Sequence, residues 1–306
     1  MTEYNGVWSE IWVILSLFAA FLQFVRTAIQ KRLTGSFSPI LVTALRFAVG
    51  LPFAIITVLL LKNAGQLFPN LNQSFLLYIL LAAIFQIIGS VMMMNLFNKR
   101  NFVVGIAYSK AETIFSAILG FLLFNEQINT YSLIAIIVGF WGVALLSLVG
   151  KINNKISWQN FFSKDSFLGI MLGVFHAATA VFVREATIRL NIDSTIVKTS
   201  YALLFMFMIQ TIILTPYILK YCRNELLKLR AHKQTIFSLG FVGFLTSICW
   251  YAAYSLKNTA YVNAFGQIEL IFSFLATHII FKERIKVIEI VGVVLIAVSI
   301  VTVSLY

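Results

Sequence analysis

The sequence predicts an all-α integral membrane protein: ten transmembrane helices arranged as two inverted five-helix repeats. Three observations carry that expectation. Hydrophobic residues make up 60% of the 306 positions and charged ones only 11%, with a mean hydropathy of +0.92, whereas a soluble domain is apolar over about half its length. Apolar runs longer than about 18 residues alternate with short polar connections, which is the pattern of helical spans and not the weak alternation of a β-barrel. The polar landmarks of the first half also return in the second at one constant offset.

In chain order the predicted spans are 9–29, 37–61, 74–97, 102–124, 128–149, 167–188, 195–219, 235–256, 261–281 and 285–305. Each is apolar for long enough to cross a bilayer and is bounded by a basic, glycine-containing or otherwise polar stretch. The opening MTEYNGVWSE is acidic and has neither a basic start nor a small-residue cleavage site, so the first span is expected to stay in the mature protein. Two connections are longer than the rest, 150–166 and 220–234. Cys222 falls in the second of these and Cys249 inside a span, with no metal-ligand spacing and no disulfide framework.

The offset that carries Glu112 onto Glu269 also carries Arg32 onto Arg189, Ser90 onto Ser247, Asn101 onto Asn258, Ser116 onto Ser273 and Glu126 onto Glu283. Leu and Phe coincidences are cheap in so apolar a chain; these polar ones are not. The repeats are read as 9–149 and 167–306, joined by 150–166. Five spans is an odd number, so the second copy must enter the membrane the other way round. Inverted repeats place a substrate site near the midplane, between the halves. The connections after the odd-numbered spans hold most of the Lys and Arg, among them Lys31, Arg32, Lys151, Arg223, Lys228 and Arg230. The positive-inside rule then sets both termini outside the cytoplasm and explains the net charge of +12 without nucleic acid.

Charges inside spans mark the candidate site. An ionised side chain at the middle of a span costs about 2.5 to 3.5 kcal/mol even on lenient insertion scales, so Glu112 and Glu269, at matched positions, are read as substrate-binding or proton-coupling groups. Lys110 lies two residues before Glu112, roughly 200° away on a continuous helix. The pair then either faces two different neighbours or sits where the backbone unwinds, and Lys110 either reads the substrate or pairs with a carboxylate elsewhere. Its counterpart is Gln267, which breaks the symmetry at this point. Tyr108, Glu112 and Ser116 form a polar stripe that Phe265, Glu269 and Ser273 repeat, with Asn263 beside it.

Around these, Asn95 of the third span and Trp250 and Tyr251 of the eighth are candidate cavity walls. For the aromatic residues, Tyr254 included, an interfacial belt is the favoured alternative. Gln23 and His176 of the first and sixth spans complete the set, His176 being able to titrate near neutral pH. Arg26, Arg184 and Glu185 are close enough to helix ends to snorkel. Arg46, deeper in its span, is expected to tie its helix to a neighbour's carbonyl or carboxylate.

With ten spans in two inverted halves and Phe124-Asn125-Glu126 and Phe281-Lys282-Glu283 closing the fourth and ninth, followed by spans holding Gly139, Gly142 and Gly292, the chain resembles the drug/metabolite transporter superfamily, in particular its EamA-like branch. Arg46 within TALRFAVG matches that family's second helix. The resemblance implies a secondary transporter of small organic metabolites, and it implies both termini in the cytoplasm, the reverse of the loop charges. A proline common in the family beside Glu112 is replaced here by Thr113, and by Leu270 in the second repeat.

The function expected is secondary active transport, by alternating access and coupled to protons, of an amino-acid-like, nucleoside-like or amphipathic compound, in a bacterial inner membrane. The mixture of Lys110, two Glu, amides and aromatics favours a zwitterionic or amphipathic compound of metabolite size over a simple anion. A flippase for a lipid or lipid-linked sugar is the alternative on the same fold. The sequence has no G-x-x-x-x-G-K-S/T loop, no H-E-x-x-H and no G-x-S-x-G, so neither an ATPase nor an enzyme is expected, and no cofactor or metal. Partners are the substrate, protons and membrane lipids; the oligomeric state is left open, a monomer being compatible with the sequence.

Overall fold

The structure, a computed structural model, describes residues 5–66, 69–99, 109–149, 164–281 and 287–305. Tyr108 and, in the second Phe-x-Glu, Lys282 and Glu283 lie outside the described residues, as do the side chains of Lys99, His278 and Phe281. The described chain is helical, with turns and short connections between helices: α1 (Asn5–Leu33), α2 (Pro39–Asn63), α3 (Gln73–Lys99), α4 (Glu112–Phe124), α5 (Thr130–Val149), α6 (Lys164–Ile188), α7 (Thr195–Tyr221), α8 (Lys233–Leu256), α9 (Thr259–Phe265), α10 (Ile268–Phe281) and α11 (Val287–Leu305).

Among the described residues, six segments are long and apolar enough to cross a membrane: Ile11–Leu33, Pro39–Asn63, Gln73–Leu96, Phe167–Ile188, Thr195–Tyr221 and Leu229–Leu256. Shorter apolar helices run Glu112–Phe124, Thr130–Leu145 and Ile290–Val303. Large apolar side chains such as Leu60, Leu122, Trp141, Ile212 and Leu219 are exposed, a surface that suits lipid and not water. Pro39 begins α2, where its missing N–H costs nothing, while Pro52 and Pro216 sit inside α2 and α7 without ending them.

The principal contacts run between halves and come in matched pairs. α3 packs on α6 as α8 packs on α1; α4 packs on α6 as α10 packs on α1; α2 meets α7, and α5 meets α11. Backbones approach closely in the last pair, where a Cβ on Gly142 would lie 2.8 Å from the carbonyl oxygen of Gly292.

The fourth and ninth spans are broken, the fourth in line with one of the two alternatives that the spacing of Lys110 and Glu112 left open. α4 starts only at Glu112, after a turn at Lys110 and Ala111. The ninth span is split between α9 and α10 by a turn at Gly266 and Gln267. No proline is needed. Tight three-residue hydrogen bonds replace the α-helical ones: Thr113 to Lys110 at 3.2 Å, Gln267 to Ala264 at 3.2 Å and Leu270 to Gln267 at 2.9 Å. A Cβ on Gly266 would come within 2.6 Å of the Trp250 ring, so the break also lets that indole reach the backbone.

Candidate functional site

Both breaks put a carboxylate in the first turn of a new helix. Glu112 opens α4 and Glu269 opens α10, where unpaired backbone N–H groups and the helix dipole favour negative charge. Because Lys110 belongs to the turn and not to a continuous helix, the 200° separation does not apply. Its ammonium reaches both acids, at 2.5 Å from Glu269 Oε2 and 3.8 Å from Glu112 Oε1. Lys110 and Glu269 are fully buried, while Glu112 keeps 12% of its side chain exposed and lies 3.5 Å from His176 Nδ1.

A hydrogen-bonded chain extends from Glu269. Gln23 Nε2 donates to Glu269 Oε2 at 3.2 Å, and Gln23 Oε1 accepts from Arg26 Nη2 and from Trp250 Nε1, each at 2.9 Å. Lys110 to Glu269, His176 to Glu112, Gln23 to Glu269 and Trp250 to Gln23 all join one half of the chain to the other. Gln267 is buried as well and donates to Thr113 Oγ1 at 3.3 Å. Asn263, also buried, accepts from the Tyr254 hydroxyl at 2.8 Å.

A cavity of about 60 Å³ lies beside this network, lined by Gln23, Arg26, Gln30, Arg46, Gln86 and Ser90 from α1 to α3, by Glu112, by His176 and Thr179 of α6, and by Ser247, Trp250, Tyr251 and Tyr254 of α8. It has room for a few waters, well short of the roughly 300 to 1,000 Å³ of a metabolite pocket. His176 reaches it because α3 has Gly89 there: a Cβ at that position would lie 2.6 Å from the imidazole.

Of the sequence candidates, the structure brings Gln23, Lys110, Glu112, His176, Trp250 and Glu269 into one cluster, with Tyr251 on the cavity wall and Gln267 and Asn263 in the adjoining core. Asn95 is a correction: it is exposed and does not line the cavity, since the face of α3 turned inward carries Gln86, Ser90, Met93 and Met94. The aromatic belt is also corrected, because Trp250, Tyr251 and Tyr254 are buried against α1, α9 and the cavity.

Arg26 and Arg184 do not snorkel. α1 continues about two turns beyond Arg26, which leaves it 7% exposed on the cavity wall. Arg184 is held by Glu126 Oε1 at 2.6 Å, the carbonyls of Tyr254 at 2.5 Å and Lys257 at 2.9 Å, and Asn258 Oδ1 at 3.0 Å. Arg46 meets neither a carbonyl nor a carboxylate but the hydroxyl of Ser90, at 3.2 Å. Gln30 and Thr179, polar residues of the first and sixth spans, also line the cavity, as does Gln86, which was not singled out by sequence. Its polarity inside an apolar span was the available signal.

An all-helical membrane protein whose halves meet on buried ion pairs beside a polar cavity has the organisation of a membrane transporter. Residues 10–148 and 164–305 each match the EamA-like transporter family, and the chain belongs to that family, consistent with the drug/metabolite transporter superfamily. One solved structure, described only as the crystal structure of a protein, superposes with a TM-score of 0.68 at 12% identity, covering 96% of this chain and 96% of that one. At that identity the likeness speaks to the fold alone. No curated protein matches.

Proposed function

We propose that the protein is a secondary active transporter that moves a small organic metabolite across a bacterial inner membrane by alternating access, its ten spans forming two inverted halves that rock about the Lys110, Glu112, Glu269 and His176 cluster. The observation that carries this reading is that the buried ion pairs of the cluster cross between halves, so moving one half against the other must break or exchange them. The two family matches and the exchange-related packing support the repeat. The broken spans support a midplane site, since irregular backbone at membrane depth is tolerated where it lines a cavity.

Protons are the proposed coupling ion. Glu112 is partly exposed in the cavity and faces His176 and Lys110, so exchange of its proton can be tied to occupancy and to rupture of the contacts between halves. The test begins with a thermal-shift screen of the purified protein against amino-acid-like, nucleoside-like and amphipathic metabolites, because a bound substrate stabilises the fold by mass action. Uptake of the best ligand is then measured in proteoliposomes. Glu112→Gln and Glu269→Gln are each expected to abolish uptake or uncouple it from a pH gradient while the protein stays folded. Wild-type rates for both variants from about pH 5 to about pH 8 would show the cluster to be dispensable.

A further inference from the structure

The charges around the cavity are unevenly distributed. Lys110 and His176 accompany the two glutamates, but where α1 and α2 both pack on α8 stand Arg26, Gln30 and Arg46, and among the described residues no carboxylate lies within ion-pair distance of either arginine. Arg26 is 7% exposed and Arg46 4%. Their side chains run close together over Gly243, where a Cβ would lie 3.0 Å from Arg46 Cγ and 3.9 Å from Arg26 Cδ.

Each guanidinium makes one side-chain hydrogen bond through Nη2, Arg26 to Gln23 Oε1 and Arg46 to Ser90 Oγ, both neutral acceptors. Arg46 also lies 4.3 Å from the Phe47 ring centroid, a weaker partner for a cation than a carboxylate. The Nε of each arginine is buried with no partner among the described residues, and the same holds for Gln30 Nε2. Three unpaired donors, two of them on cations, therefore stand in the wall of one cavity. Buried charge is costly unless it is paired and its remaining hydrogen-bonding positions are filled. The planar fork of arginine is made for two-oxygen acceptors.

We propose that this end of the cavity is an oxyanion subsite: the transported metabolite carries a carboxylate or phosphate, which Arg26 and Arg46 bind together with the Gln30 amide. This rests on the transporter reading for the statement that the ligand is carried; the binding itself does not. Lys110 does not compete for the anion, because Glu269 already holds it. Glu112, which also lines the cavity beside His176 and Lys110, is the acid a cationic group of the same ligand would meet, so a zwitterion fits, with its negative end assigned.

The experiment uses the full-length protein in detergent and follows the thermal unfolding midpoint against acetate, methyl phosphate, acetamide and chloride at constant ionic strength. Acetate or methyl phosphate should raise the midpoint saturably while acetamide and chloride do not, and whichever acts at lower concentration names the oxyanion. Arg26→Gln and Arg46→Gln should each weaken the apparent affinity by about tenfold or more, the effect of one charged hydrogen bond. Should a glutamine variant fail to fold, Arg26→Lys and Arg46→Lys keep the charge, lose the fork, and are expected to weaken binding in the same direction.

No shift beyond that of acetamide and chloride, or shifts preserved in the arginine variants, would overturn the subsite. Uptake that depends on Glu112 and Glu269 but has no anion effect would remove the subsite and leave the transporter reading standing. Anion binding without glutamate-dependent uptake would do the reverse.

Discussion

Replacing Lys110 with Met removes the cation that two carboxylates share. At an effective dielectric near 20, the 2.5 Å approach to Glu269 corresponds to a gross attraction of about 7 kcal/mol, and the 3.8 Å approach to Glu112 to about 4 kcal/mol. Most of this is offset by the several kcal/mol needed to take each ion out of water. What remains after the substitution is Glu269 buried with Gln23 as its side-chain donor and Oε1 unpartnered among the described residues. Deleting one member of a buried pair costs about 3 to 5 kcal/mol, and that is the loss expected for Lys110→Met. Adding Glu269→Gln removes the stranded charge and should return most of the loss. The assay is reversible unfolding in mixed detergents, run as a double-mutant cycle over Lys110→Met, Glu269→Gln and the pair. A coupling of at least about 2 kcal/mol is expected, and additivity within about 0.5 kcal/mol would refute the ion pair.

Arg184→Gln should cost about 1.5 to 3 kcal/mol by loss of charged hydrogen bonds. It should also loosen the end of the bundle where Glu126, Tyr254, Lys257 and Asn258 converge. A cysteine at Gln127, with Cys222 and Cys249 replaced by Ser, should then react faster with a thiol reagent; an unchanged rate argues against a latch. Gly142→Ala should destabilise by about 1 to 3 kcal/mol through overpacking, since its Cβ would strike the Gly292 carbonyl, which is backbone and cannot swing away. An unchanged thermal midpoint would mean that α5 and α11 are not so close.

The site was legible where residue type conflicted with surroundings. Glu112, Glu269 and Lys110 announce themselves as charges in apolar runs, and the match of Glu112 with Glu269 follows from the repeat register. What was misread depended on where helices end. Arg26 looked terminal because the apolar run fades near Ile29, yet α1 goes on to Leu33 and carries the arginine inside. Trp250, Tyr251 and Tyr254 looked interfacial because α8 stops at Leu256, but α9 and the Gly266 turn fold back over them. The break in the fourth span was one of two alternatives raised by the spacing of Lys110 and Glu112, but the break in the ninth was hidden, because no proline marks it and the apolar run is continuous through α9 and α10. For Lys110 and Glu112, of the two arrangements the sequence left open, a continuous helix or an unwound backbone, the structure has the second, and Lys110 pairs with Glu269 of the other half.

Arg184 has no chemical twin. The register that sets Glu112 against Glu269 places it opposite Thr27, whose hydroxyl donates to the carbonyl of its own helix at Gln23. A guanidinium with four acceptors therefore fastens one end of the bundle, while the corresponding position at the other end offers a short neutral side chain already bonded within its helix. On the transporter reading, these four contacts are what opening the Arg184 end has to break.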